Sequence, residues 1–230
     1  MPQEMSVAGT DSSRRAPASR LLLGIPSQEI ERAMEILDQC GTVALPSGAS
    51  KEVASLPSVR LLLVEEGLVL VRRADSRHRR SFVASEAGAG AILLQPAHDQ
   101  TLYALTNARL TPISHEAYDA LSALPGVARS LFEGLEETAR EARETACVLA
   151  ELEPVDRLRS KLIQLGREHG HVDGNGIRLD LPITHRLLAE MVGLARETVT
   201  RALNILWRDG ILVRDGREYR LLISPDRLAD

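Results

Sequence analysis

The sequence predicts an α+β fold: a β-rich N-terminal unit, one long helix, and a C-terminal winged helix-turn-helix. Three observations predict it. Short apolar runs separated by turn residues fill Thr42 to Ile113, the pattern of a small sandwich or barrel. A helical run from Val127 to about Leu152 follows, with Gly134 its only glycine. Between Pro182 and Gly210, the residues Ala189, Gly193 and Val199 stand at the small–turn–apolar spacing of two crossing helices. The length of 230 residues accommodates two units of about 100–150 residues each. Hydrophobic residues make up 44% and aromatics only 3%, so the cores are expected to be aliphatic.

Residues 1–20 are polar, carry Arg14–Arg15 and lack the apolar segment of a signal peptide, so a disordered tail on a cytoplasmic chain is expected. No apolar run reaches the roughly 18 residues of a membrane span. The longest, near Leu61 to Val71, is broken by Glu65, Glu66 and Gly67. Residues 21–126 form the first unit. It opens on a helix from Ser27 to Gln39, with Ser27 as its cap, Glu29 in the first turn, and Ile30, Ala33, Met34 and Leu37 on one face. Strands are expected at Val59–Val64, Leu68–Arg72, Ser81–Ala84, Ala91–Leu94, Thr101–Leu105 and Leu110–Ile113, separated by Glu66–Gly67, Ala74–Asp75–Ser76 and Ala87 to Gly90. A short helix at Ser114–Leu121 and a break at Pro125–Gly126 close the unit.

Residues 127–153 read as one helix with a double apolar row. Ala128, Leu135, Ala142 and Leu149 form one row, and Leu131, Ala139, Ala146 and Leu152 lie close beside it. A narrow stripe of small and apolar residues fits the seam of a two-helix dimer; packing on the helix's own domain is the other reading. Cys147 falls on this helix as a small buried thiol. With Cys40 it makes only two cysteines, at no metal-ligand spacing, so no disulfide framework and no metal site are expected. Glu153–Pro154 is a hinge, because a residue before proline resists helical geometry while proline is tolerated in a first turn.

Residues 154–230 form the second unit: a helix from Val155 to His169, a loop from Gly170 to Gly176, and then the helix-turn-helix. Thr184 caps a helix to about Met191, Gly193 supplies the left-handed turn, and a second helix runs from Ala195 to Arg208. Arg196, Glu197, Thr200 and Arg201 share one face at the start of that helix, where recognition helices meet bases. Arginine can bond guanine bidentately and glutamate can accept from a cytosine amino group, whereas Glu197 and Arg201 could otherwise be a surface ion pair. Asp215–Gly216 between two apolar runs signals a hairpin, hence a wing bearing Arg214, Arg217 and Arg220 where phosphate could lie. Trp207 is expected in the core beneath it. The net charge of −4 does not advertise nucleic-acid binding, but its distribution is uneven. Residues 155–230 hold 13 Lys and Arg against 11 Asp and Glu, while the rest of the chain holds 15 against 21. The expected activity is therefore transcription regulation through double-stranded DNA.

The stretch ITHRLLAEMVGLARETVTRALNIL, Ile183 to Leu206, resembles the Crp/Fnr family of bacterial transcription regulators, above all in Arg196-Glu197-Thr198-Val199 followed by Arg201. The layout of the remaining chain is similar at the level of architecture. The resemblance implies an N-terminal β-roll of the cyclic-nucleotide-binding (jelly-roll) type, a dimerisation helix and a homodimer on an inverted repeat. It also implies RNA polymerase as a partner and a bacterial cytoplasm as the setting. Arg196, Glu197 and Arg201 match the positions at which the cyclic-AMP-receptor branch reads a TGTGA-like half-site, with Thr200 beside them. Thr184, His185, Arg186 and Thr198 match backbone-contacting positions, and Arg214 and Arg217 lie on the wing.

The β-roll departs from the family. A cyclic-nucleotide pocket holds a Gly-Glu pair and then an Arg-Ser or Arg-Thr clamp, but Gly88 to Leu105 (GAGAILLQPAHDQTLYAL) contains no Arg, Lys or Glu. A buried cyclic phosphate would lack its counter-charge, so cyclic AMP is not expected as the effector. With no N-terminal cysteine cluster, an iron–sulfur cofactor is not expected either. His78, His98, His115 and Cys40 are single haem candidates without a motif, and the effector stays unknown, with a cyclic dinucleotide or haem as alternatives. The basic run Arg72, Arg73, Arg77, His78, Arg79 and Arg80 reads as a solvated hairpin loop, or else an anion or DNA contact. No nucleophile–base constellation or phosphate loop supports an enzyme. The different-class alternative, a small-molecule-binding module or an enzyme with an incidental winged helix, therefore rests on no motif.

Overall fold

The computed structural model describes residues 20–56, 59–75, 80–94, 97, 99–215 and 218–222. The predicted tail up to residue 19, His78 and His98, most of the tip of the basic loop, and Gly216, Arg217 and Ile223 lie outside them. Helix α1 spans Ser27–Gln39; its cap position is Pro26, so Ser27 is the first helical residue rather than the cap. Eight strands follow: β1 (Val43–Leu45), β2 (Ser50–Glu52), β3 (Leu61–Glu66), β4 (Val69–Asp75), β5 (Arg80–Ala87), β6 (Ile92–Leu94), β7 (Gln100–Ala104) and β8 (Ala108–Ile113). They form two antiparallel four-stranded sheets in the orders β1-β8-β3-β6 and β2-β7-β4-β5.

The apolar run in β3 is continuous because both of its faces are buried. Leu62 and Val64 point into the roll with Val69, Val71, Leu93 and Leu102. Leu61 and Leu63, one residue out of phase, pack under the helices with Ala33, Leu37, Ile113 and Leu121. Helix α2 (His115–Ser122) is capped by Ser114, whose hydroxyl oxygen accepts from the Ala117 N–H.

Helix α3 (Pro125–Ala150) starts earlier than expected. Pro125–Gly126 is its first turn, a position that proline's fixed φ suits and where its missing N–H costs nothing. Val127 and Leu131 pack into the roll, so Leu131 belongs to the protomer's own core rather than to the exposed stripe. Ala139, Ala142, Ala146 and Leu149 are exposed, Ala128 and Leu135 are half-buried, and Leu135 also leans on the core. Leu152 lies beyond the helix end, almost wholly exposed. Phe132, 62% exposed, extends the outward stripe and was not foreseen. Cys147 is exposed, not buried.

Glu151–Glu153 break the helix before α4 (Pro154–His169). The expected loop after it is a hairpin, β9 (His171–Asp173) with β10 (Gly176–Leu179). Helices α5 (His185–Val192) and α6 (Arg196–Arg208) follow, then the wing strands β11 (Leu212–Asp215) and β12 (Glu218–Leu221). The third sheet runs β11-β12-β10-β9. Leu158, Leu162, Leu165, Leu188, Val199, Leu203, Leu206 and Leu221 form its core, which continues into Leu68, Leu70, Val83 and Leu105 of the roll. Among the described residues no helix is long and apolar enough to cross a membrane.

Candidate nucleic-acid interface

The interface is built on the α5–turn–α6 unit. The Thr184 side-chain oxygen accepts from the Leu187 N–H at 3.1 Å and starts α5. Gly193 ends it at φ 65°, ψ 30°, the left-handed region that glycine adopts without a Cβ penalty. The N–H groups of Gly193 and Leu194 both donate to the Ala189 carbonyl, which closes the turn. Val199, Ala202, Leu203 and Leu206 bury the inner face of α6.

The opposite face carries the predicted reading residues. Arg196, Glu197 and Arg201 are exposed. Glu197 and Arg201 form no ion pair; the Arg201 guanidinium reaches only the Thr198 hydroxyl, at 3.4 Å. The bland alternative to base reading therefore has no contact to support it.

Thr200 is placed differently. Its hydroxyl donates to the Arg196 carbonyl at 3.0 Å and lies 2.9 Å from His185 Nδ1. A hydroxyl has one hydrogen, so with that donation made the imidazole must donate from Nδ1. Burial, then Arg214 and Arg196, lower the pKa of His185, which is accordingly neutral near pH 7 with an open lone pair on Nε2. Thr200 and His185 thus tie α5 to α6 across the turn. Among the remaining backbone candidates, Arg186 is exposed but leans on Glu190 at 3.2 Å. Thr198 is half-buried and Arg214 is exposed on β11. Arg220 does not face outward as a free cation: its Nη1 donates to both Asp173 oxygens at 2.6 and 2.5 Å, joining β12 to β9. Trp207 is half-buried against the domain core, 6.5 Å from the His185 ring.

Among the described residues no group of three or more His, Cys, Asp or Glu could hold a metal. Cys40 donates to the Ile36 carbonyl at 3.3 Å, and burial raises its pKa. His115 is exposed at the start of α2. Two functional-looking residues carried no sequence signal: Glu190, buried on α5, and Lys161, buried on α4.

The comparisons with known proteins agree with this geometry. Residues 156–230 match the model of the Crp-like helix-turn-helix domain. The chain is 24% identical over 224 residues to the global nitrogen regulator of Synechocystis sp., covering 93% of this chain and 94% of that one. Its fold matches the structure of a CooA mutant from Carboxydothermus hydrogenoformans with a TM-score of 0.70, at 20% identity over 85% of this chain and 88% of that one. It also matches the c-di-GMP responsive global regulator CLP of Xanthomonas campestris with a TM-score of 0.67, at 22% identity over 86% and 100%. Residues 156–230 thus match a Crp-like helix-turn-helix domain, and the chain shares the fold of these solved structures.

Proposed function

We propose that the protein is a cytoplasmic homodimeric regulator whose two α6 helices read an inverted repeat of TGTGA-like half-sites, one helical turn apart. Arg196 and Arg201 bond guanines and Glu197 accepts from a cytosine amino group. Thr200 stands beside them, its hydroxyl committed to Arg196 and His185. Thr184, His185, Arg186, Thr198, Arg214 and Arg217 lie along the backbone, and RNA polymerase is the downstream partner. Residues 21–126 act as the sensor-like roll, 127–153 as the dimer helix and 154–230 as the DNA-binding unit. The dimer seam runs along Ala128, Phe132, Leu135, Ala139, Ala142, Ala146 and Leu149. The single observation that carries the reading is the exposed Arg196–Glu197–Arg201 face, with no ion pair between Glu197 and Arg201, on a helix whose other side is buried.

Cyclic AMP does not fit as effector. Leu62, Val64, Val69, Val71 and Leu102 occupy the core of the roll, and Gly88 to Leu105 contains no Arg or Lys to face a phosphate. The similarity to a c-di-GMP responsive regulator keeps a cyclic dinucleotide as the alternative effector, at a surface other than the roll interior. The test is fluorescence anisotropy of a palindromic TGTGA duplex against a scrambled one at stated salt, with no added ligand. Preferential binding supports the half-site and ligand independence; equal weak binding to both overturns their combination.

A further inference from the structure

Two ion pairs, each with one buried member, join the roll to the helix-turn-helix unit. On the first, the Glu190 carboxylate of α5, 7% exposed, lies 2.6 Å from Arg72 Nη2 of β4. It also accepts from the Ser81 hydroxyl of β5 at 2.8 Å and from Arg186 Nε at 3.2 Å. Arg72 in turn lies over the Tyr103 ring, 5.3 Å from its centre. On the second, Lys161 Nζ of α4, 1% exposed, lies 2.5 Å from Glu86 Oε1 of β5 and 3.0 Å from Gln164 Oε1. Leu68, Leu70, Val83 and Leu105 of the roll pack in the same apolar cluster as the helices.

The polarity of the pairs is opposite. The roll presents a cation to α5 and an anion to α4, so docking the unit the other way round would set Arg72 against Lys161 and Glu86 against Glu190. Glu86 Oε2 and Arg72 Nε are buried without hydrogen-bond partners, so the pairs are imperfect as stabilisers. Largely buried pairs of this kind contribute little net stability but penalise every arrangement that separates or mismatches them. The docked state leaves Arg196, Glu197 and Arg201 exposed.

We infer that Arg72–Glu190 and Glu86–Lys161 are an orientation lock, and that these four are positioning residues for DNA reading. They hold α5, and through it α6, at one angle to the roll that carries the dimer helix. The inference rests on the proposed reading of DNA by α6. Without the lock, the unit can swing about Glu151–Glu153, and two half-sites must then be met by heads that are not pre-set.

The test uses the full chain and four variants: Glu190→Gln, Arg72→Met, Lys161→Met, and the exchange Glu86→Lys with Lys161→Glu. Small-angle scattering without DNA reads the lock alone; anisotropy reads a TGTGA palindrome and a scrambled duplex. The single variants are expected to widen the scattering envelope and to weaken palindrome binding about 10-fold, while changing scrambled-duplex binding less than about twofold. The exchange variant is expected to return both readouts close to the parent, which a merely structural role would not do. Unchanged scattering in all singles overturns the lock. Widened scattering with unchanged or tighter palindrome binding overturns its role in reading. A parent protein that does not distinguish the duplexes overturns the half-site reading instead, and scattering still decides the lock.

Discussion

The turn between α5 and α6 can be tested at Gly193. A Cβ built there would meet only Leu149 Cδ2, at 3.8 Å, an ordinary contact. Gly193→Ala therefore isolates the backbone cost. A left-handed conformation costs a non-glycine residue roughly 1–2 kcal/mol, and alanine offsets roughly 0.4–1 kcal/mol of that by reducing the freedom of the unfolded chain. The expected net loss is about 1 kcal/mol, or about 2–4 °C in Tm for a chain of this size. Two other glycines calibrate it. Gly210, at φ +68° with nothing within 4 Å of its Cβ position, should give the same loss. Gly67→Ala should cost more, because its Cβ would fall 2.1 Å from the Asn107 carbonyl oxygen. Urea denaturation followed by Trp207, the only tryptophan, reads the domain directly. DNA affinity should fall for Gly193→Ala and not for Gly210→Ala, since only Gly193 joins the two helices. A Gly193→Ala loss as large as that of Gly67→Ala, or none at all, would refute the assignment of the turn.

Three further predictions concern reading, assembly and pH. Arg196→Ala should cost about 1–3 kcal/mol on a cognate duplex and relax preference at one base pair; an unchanged base preference in a mutated-site titration removes Arg196 from the reading set. If the proposed seam is right, Phe132→Glu should dissociate the proposed dimer in sedimentation velocity without unfolding the protomer, whereas Leu131→Ala should cost about 2–5 kcal/mol of stability and leave that assembly intact, because Leu131 is buried in its own core; the reverse pattern would place the seam elsewhere. Burial, then the charges of Glu168, Glu137 and Glu144 against that of Arg140, push Glu141 up to about 7 from an ordinary value of 4.5. Between those values the folded state holds a proton that the unfolded state has released, so this contribution is present below the lower value and is lost as pH rises through about 7. Screening by solvent limits the effect to on the order of 1 kcal/mol. Glu141→Gln should shrink the difference between urea midpoints at pH 5.5 and pH 8, and an unaltered difference would exclude Glu141 as its source.

The sequence was most legible where periodicity and capping act locally. The range Ser27–Gln39 came out to the residue, and the Thr184 cap, the Gly193 turn and the buried face of α6 followed from spacing alone. Unlike the equally short β6, strands β2 and β9 carry no run of apolar residues, and they escaped along with β1 and β10. Their pairing is decided by β8, β7 and β12, which lie far along the chain or in another register. The exposed and buried faces of α3 were half legible. Leu131 and Ala139 look equivalent on a helix drawn alone, and only the roll beneath α3 separates the buried one from the exposed one. Thr200 read as a base contact because its neighbour in space, His185, lies 15 residues away and the sequence does not say which of its nitrogens carries hydrogen. Arg72 and Glu190, 118 residues apart, gave no signal as a pair.

The crossing of α3 over the roll has a mechanical consequence. At Gly134 an added Cβ would stand 2.6 Å from Ile92 Cδ1, and Thr138 Oγ1 lies 2.9 Å from the Ile92 carbonyl one turn later. A bare backbone pressed onto β6 and a hydroxyl hooked to the same residue act as a pin and a stop. Turning or sliding the helix would break the Thr138 bond to the Ile92 carbonyl or pull on β6, which pairs with β3. Rotation of α3 about its own axis is thereby geared to strain in the sheet, and a bulky residue at 134 would loosen that gear while leaving both parts folded.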